Sequence, residues 1–218
     1  MYAGNRLYHI DHDFFEDIAT EEQAYILGFI CADGCVHNSG KSVSVFVQKK
    51  DEHILNTIKQ HTQNTSPIQT KIRSSGYAKG GILVGINLCS RKMVRDLALL
   101  GIMPCKSLTI EIPKIQHHLS RHLIRGIWDG DGHIGPRQIF LAGNDRIINT
   151  VKDLAEVHTG TILKVDYNNG SPRLHGNRSS KVFLDWLYHN STIHLERKYD
   201  SYIKHWSCIP RARVASSP

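Results

Sequence analysis

Ala24-Tyr-Ile-Leu-Gly-Phe-Ile-Cys-Ala-Asp-Gly34 is answered later in the chain by His122-Leu-Ile-Arg-Gly-Ile-Trp-Asp-Gly-Asp-Gly132. Both stretches have helical length and close on Asp-Gly. Ahead of the first, Thr20-x-x-Gln23 is a capping box that starts a helix. The echo continues downstream. Val45-Phe-Val-Gln-Lys-Lys-Asp51 parallels Ile139-Phe-Leu-Ala-Gly-Asn-Asp145, and Lys92-Met-Val-Arg-Asp-Leu97 parallels Lys181-Val-Phe-Leu-Asp-Trp186. Helical spacing follows the former pair, with Ile54, Leu55 and Ile58 in one copy and Ile147, Ile148, Val151 and Leu154 in the other. The same segments in the same order predict two related halves, residues 1–112 and 113–218.

Each half reads helix, hairpin, helix, hairpin, helix, so the fold class is α+β with two pseudo-symmetric αββαββα halves. Val43, Val45 and Val47 alternate with Ser42, Ser44 and Phe46, the period of a strand buried on one face. Gln69, Lys71 and Arg73 alternate with Ile72 before a Ser-Ser-Gly turn and the apolar run Ile82–Leu88. In the second half, Thr161–Tyr167, the turn Asn168-Asn-Gly170 and Arg173–Asn177 repeat that hairpin. Each half then carries a four-stranded antiparallel sheet with one apolar face and one wet, basic face.

Both repeated helices end in a carboxylate, Asp33 before Gly34 and Asp131 before Gly132. A helix C-terminus is partially negative, so an Asp there is electrostatically misplaced, and the misplacement occurs twice. Gly28 and Ala32 in one helix, and Gly126 and Gly130 in the other, lie four apart and share a face where a partner backbone can approach. Parallel packing through those faces would set the two Asp side by side. Two carboxylates about 4 Å apart repel by roughly 4 kcal/mol at an effective dielectric near 20. A divalent cation relieves that repulsion, and oxygen-only ligands suit magnesium.

Lys and Arg number 27 against 20 Asp and Glu, a net charge of +7, which favours a polyanionic partner. No window approaches the roughly 18–20 apolar residues of a membrane span. The opening residues carry acids and no apolar core, which predicts no signal peptide. The expected location is the cytoplasm or wherever such a polyanionic partner resides, nucleoid or organelle. Five scattered cysteines without a CxxC pair read as reduced, buried thiols. His9-Ile-Asp-His-Asp13 reads as solvated rather than as a metal site.

Ile26-Leu-Gly-Phe-Ile-Cys-Ala-Asp-Gly34 and Ile124-Arg-Gly-Ile-Trp-Asp-Gly-Asp-Gly132 resemble the two motifs of single-chain LAGLIDADG homing endonucleases. The likeness extends over most of the chain through the order of its elements. It implies that Asp33 and Asp131 bind two or three catalytic Mg2+ ions, with carbonyls from Ala32 and Gly130. It also implies that Mn2+ substitutes for Mg2+ and that Ca2+ binds without cleavage. Cys31 stands where the motif usually has a first Asp. Pro104-Cys-Lys106-Ser107 and Glu196-Arg-Lys198-Tyr199 resemble the segments carrying one basic residue per half, which makes Lys106 and Lys198 candidates to position water or stabilise the transition state. Gln48 resembles a polar residue lining the same water pocket; its counterpart Ala142 cannot act so.

The activity implied is a magnesium-dependent double-strand break in a long DNA target. The sheets would saddle the duplex, with Lys and Arg reading guanine, and Asn and Gln reading adenine. Candidate readers are Lys41, Gln48, Lys50, Gln69, Lys71 and Arg73 in the first half, and Arg137, Gln138, Asn144, Lys164, Asn168, Arg173, His175 and Arg178 in the second. Because the reading surfaces of the two halves differ, a monomer on a non-palindromic site is expected. The resemblance makes an intron-encoded protein the expectation. Two alternatives stay open: a maturase acting on its own intron RNA, and a DNA-binding regulator on the same scaffold.

Overall fold

The computed structural model describes residues 7–73, 80–105 and 109–208; Lys106 and the Ser-Ser-Gly turn lie outside the described residues. Helix α1 (Glu21–Asp33) starts at the expected capping box, and Glu21 and Glu22 in its first turn suit the positive end of the helix dipole. It is apolar all round, and every residue from Ala24 to Cys31 is buried. Gly34 ends it with φ −76°, in extended backbone rather than the left-handed turn that usually favours glycine at a helix end. Glycine is needed for space instead: a Cβ at Gly34 would stand 2.6 Å from the Ile30 carbonyl oxygen, and one at Gly132 would stand 2.5 Å from that of Trp128.

From α1 the chain runs through β1 (Gly34–Val36), β2 (Val43–Gln48), α2 (Glu52–His61), β3 (Gln69–Ile72), β4 (Ile82–Leu88) and α3 (Arg91–Leu99). It then repeats as α4 (Ser120–Asp131), β5 (Gly132–Ile134), β6 (Ile139–Ala142), α5 (Asp145–Thr159), β7 (Lys164–Asn168), β8 (Ser171–Gly176) and α6 (Lys181–Tyr188). Two four-stranded antiparallel sheets result, ordered β1-β2-β4-β3 and β5-β6-β8-β7, and the fold is α+β as expected. Val43, Val45 and Val47 face inward in the first sheet, and Ile139 and Leu141 in the second. The apolar stripes of α2, α3, α5 and α6 supply further buried residues, Ile54, Met93, Ile148 and Phe183 among them. A further helix, α7 (Glu196–Tyr202), follows α6 without a sign in the repeat.

Two expectations need correction. The His9–Asp13 segment is docked rather than solvated. The Asp11 N–H donates to the Thr62 carbonyl at 2.9 Å, His12 Nδ1 pairs with the Ser90 hydroxyl at 2.7 Å, and Ile10 is buried. The five cysteines are unbridged, but only Cys31 is buried; Cys35, Cys89, Cys105 and Cys208 are exposed. No helix among the described residues is long and apolar enough to cross a membrane.

Helices α1 and α4 pack parallel along their small-residue faces. A Cβ at Gly28 would meet the Leu123 carbonyl oxygen at 2.0 Å and the Ile127 nitrogen at 3.1 Å. One at Gly126 would meet the Tyr25 oxygen at 2.1 Å and the Phe29 nitrogen at 2.7 Å. Leu123 and Ile127 are the repeat partners of Tyr25 and Phe29, so the two contacts are the same contact seen from opposite sides. That is the signature of a local twofold axis through the helix pair.

One charged cluster breaks this symmetry. Arg125, fully buried in α4, donates to the carbonyls of Leu187 (2.8 Å) and Ile193 (2.9 Å) and to Glu21 Oε1 at 2.5 Å. Glu21 also accepts the Thr192 N–H at 3.0 Å. Burial works against its charge, but hydrogen bonds from His122 and Thr192 and the Arg125 charge outweigh it and hold the carboxyl at about 2. A carboxyl lowered on folding stabilises the fold above its ordinary value of 4.5, and that contribution fades as pH falls towards about 2. Urea unfolding is therefore expected to show an acid-side loss of stability in that window which Glu21→Gln flattens. An unchanged acid limb in the variant would refute the assignment.

Candidate metal and nucleic-acid site

The parallel packing of α1 and α4 brings their last turns together. A Cβ at Gly130 would lie 2.3 Å from the Ala32 Cβ and 3.4 Å from Asp33 Oδ2, so the Asp33 carboxylate reaches over the final turn of the opposite helix. Asp33 and Asp131 are both exposed there. Among the described residues no three His, Cys, Asp or Glu side chains cluster into a metal site. The donors at the helix ends are instead two carboxylates with the C-terminal carbonyls beside them, an all-oxygen set that fits a hard divalent cation.

Each carboxylate has its own pocket. Asp33 shares one with Gln48, Asp51, Arg73, Gly130 and Arg197. Asp131 shares another with Cys31, Ala32, Ala142, Gly143 and Asn144. In both, an Asp from one helix faces backbone from the last turn of the other. Gln48 thus lies beside Asp33, and Ala142 beside Asp131, as their repeat positions require.

Lys198, at the start of α7, is buried and donates to the carbonyls of Trp128 (2.8 Å), Asp129 (2.5 Å) and Gly130 (3.4 Å). Its ammonium therefore caps the end of α4, where a positive charge is favoured. Burial lowers it to about 8 against the pull of Asp129, Asp33 and Asp131. Lys106, its expected counterpart, is outside the described residues. Asp129 is buried and committed to structure: it accepts the Tyr25 hydroxyl at 2.8 Å, the Leu195 N–H at 2.7 Å and the Tyr188 hydroxyl at 2.5 Å. Burial first, and the Asp129 charge second, push both phenols well above their ordinary range.

The wet faces of the sheets adjoin this centre. Gln48, Gln69, Lys71 and Arg73 are exposed on or beside the first sheet, Lys41 sits in the β1–β2 loop, and Lys50 in the turn before α2. On the second sheet Lys164 faces His175 across β7 and β8, and Arg137, Gln138, Lys164 and His175 line one groove. Asn168 is exposed at the tip of that hairpin, and Arg178 in the turn after β8. In the second half, Asn144, Arg173 and His175 are already engaged. Asn144 caps α5, accepting the Ile147 N–H and donating to the Ile110 carbonyl, each at 2.9 Å. Arg173 lies 4.8 Å over the Phe140 ring, and His175 pairs with Asp166 at 3.0 Å.

The sequence reading did not single out Phe46 or Phe140. They are repeat partners in the middle of the two wet faces, and each carries a cation: Lys71 stands 3.4 Å over Phe46, and Arg173 over Phe140. A large apolar residue at a polar position of an alternating strand, in both copies, was the available signal. Arg197 was also missed, although it adjoins Lys198. Its Nε donates to Asp51 at 2.9 and 3.1 Å.

No protein-family model matches the chain, and no curated protein does. Solved structures match it in fold. It is similar to the homing endonuclease I-WcaI bound to its DNA recognition sequence, with a TM-score of 0.60 and 11% identity, over 86% of this chain and 90% of that one. It is similar to full-length DUF199/WhiA from Thermatoga maritima, with a TM-score of 0.54 and 14% identity, over 92% and 66% of the two chains. I-DmoI in complex with DNA and Mn aligns with a TM-score of 0.53 and 13% identity, over 79% and 98%. The chain has the two-half fold of the LAGLIDADG homing endonucleases.

Proposed function

We propose that the chain is a site-specific homing endonuclease making a magnesium-dependent double-strand break in a long, non-palindromic DNA. The observation that carries this reading is the placing of Asp33 and Asp131 at the adjoining ends of two parallel helices, between two sheet faces rich in Lys, Arg and Gln. Residues 1–112 and 113–218 would each engage one half-site. Asp33, Asp131 and the carbonyls of Ala32 and Gly130 would hold the divalent cation, which when bound supplies a Lewis acid and an activated water. Lys198, pinned to the end of α4, holds positive charge beside the carboxylates without solvent reorganisation. Gln48 would orient water on the Asp33 side. The exposed Lys and Arg of both sheets would neutralise phosphates on either arm of the target.

The same fold occurs in DUF199/WhiA, which is not named as an endonuclease, and the second reading is a DNA-binding regulator that does not cut. One experiment separates the two: incubation with magnesium and a randomised duplex library, followed by sequencing of the ends produced. The expected result is breaks in both strands within one long asymmetric site, made by the monomer. Strictly palindromic targets, or cutting that requires a dimer, would contradict the reading; binding without cutting would favour the non-nuclease alternative. Binding is also expected to weaken steeply with salt, with a log–log slope of about −0.9 per neutralised phosphate. A flat affinity across salt would contradict both.

A further inference from the structure

Asp166 is out of keeping with the sheet that carries it. Among the described residues it is the one Asp or Glu in any of the eight strands. Strand period sets it on the wet face. Val165 packs against the core on one side of β7, while Lys164, Asp166 and Asn168 turn to the other. Its side chain is 62% exposed. A carboxylate on a surface that meets phosphates repels them, and an exposed side chain adds little buried area to offset that repulsion.

Two neighbours decide what Asp166 can meet. His175 Nε2 donates to its Oδ1 at 3.0 Å, which holds the carboxylate in place; among the described residues Oδ2 takes no hydrogen bond from protein. Arg173 is its partner across β7 and β8, yet the guanidinium is drawn over the Phe140 ring, 4.8 Å from the centroid, rather than onto Asp166. A group that can only accept and a group that can only donate therefore stand side by side. The major-groove edge of a C·G pair is their complement, because cytosine N4 donates while guanine O6 and N7 accept. The reversed pair, and T·A, would turn an acceptor towards the carboxylate. An A·T pair offers adenine N6 to Asp166 but gives Arg173 the single thymine O4 in place of a two-pronged guanine contact.

We propose that Asp166 is a specificity-determining residue of the second half: with Arg173 it selects a C·G pair at one position of that half-site, chiefly by rejecting pairs that turn an acceptor towards it. This rests on the DNA-binding part of the reading above and is independent of cutting. Selection by rejection suits a lone acid on a basic sheet. Lys164 and Arg173 attract DNA of any sequence, while the carboxylate withholds binding from the wrong base. The matching hairpin of the first sheet, Gln69–Ile72 with Ile82–Leu88, contains no acid, so this form of discrimination is confined to one arm of the target.

The test is a binding selection by the full chain on the randomised duplex library, without divalent metal so that binding alone is read. The wild type is expected to prefer C·G over the reversed pair by about 10- to 100-fold at one position of one arm. Asp166→Asn still accepts the His175 hydrogen bond but adds an amide donor, the pattern that pairs with adenine N6 and N7. Its preference at that position is expected to move to A·T, with every other position unchanged. Asp166→Ala should flatten the position and tighten binding to unselected duplex, because the repulsion is gone. A wild-type profile kept by the Asn variant would mean that the carboxylate serves His175 alone, and would overturn the inference; so would changes spread over both arms. Absence of any enriched sequence would overturn it together with the DNA-binding reading. The expected profile followed by no cut on adding magnesium would support this inference and overturn the endonuclease reading alone.

Discussion

Asp33→Asn and Asp131→Asn are each expected to abolish double-strand cleavage while leaving DNA affinity close to that of the wild type. The two residues end α1 and α4, whose last turns pack together, so removing either charge halves the anionic donor set. Losing one preorganised charge-stabilising group costs about 10²–10³-fold in rate, and a ligand that holds the metal is worth no less. Neither Asp belongs to the basic sheet faces, and Asn keeps the size of the side chain, so the binding surface stays intact. Gel cleavage with magnesium, paired with a binding titration on the same duplex, checks both halves of the expectation. Normal cutting by either variant would remove that carboxylate from the assigned site.

Gly126→Leu is expected to prevent folding. Its Cβ would lie 2.1 Å from the Tyr25 carbonyl oxygen and 2.7 Å from the Phe29 nitrogen, both backbone atoms inside a buried helix. Overpacking a core usually costs about 1–3 kcal/mol because side chains can rearrange. Here no side chain can move aside, and the helices themselves must part, so the penalty should exceed that range. Circular dichroism and thermal melting check it. A melting temperature equal to that of the wild type would contradict the close approach of the two helices.

Much of the architecture was legible because the chain states it twice. A lone Asp-Gly after an apolar run is an ordinary helix stop. The same ending in both copies, with small residues four apart in each helix, required a face-to-face pair. Alternation in Val43–Val47 gave the buried face of the first sheet directly. The asymmetric features were hidden for the complementary reason. Glu21, Arg125, Asp129 and Arg197 each occur in one copy only, and their partners lie far along the chain. Arg125, for example, reaches Leu187 and Ile193, which no local pattern announces. Asn144 misled because a cap and a base-reading amide share the same side-chain chemistry. The α7 helix was invisible because seven residues carry too little periodicity.

The seam between α1 and α4 is twofold in its backbone and one-way in its side chains. A first half set against its own copy would bring Glu21 against Leu27, the residue standing in the place of Arg125, and would offer the Tyr25 hydroxyl Cys31 in place of Asp129. A second half set against its own copy would bury two Arg125 guanidiniums with Leu119 where Glu21 belongs. Buried charges deprived of their partners are costly, so each half carries a penalty against itself and a match for the other. The polypeptide link is thus not the sole guarantor of pairing: the halves are mutually exclusive in their choice of partner, a lock and key cast from one ancestral mould.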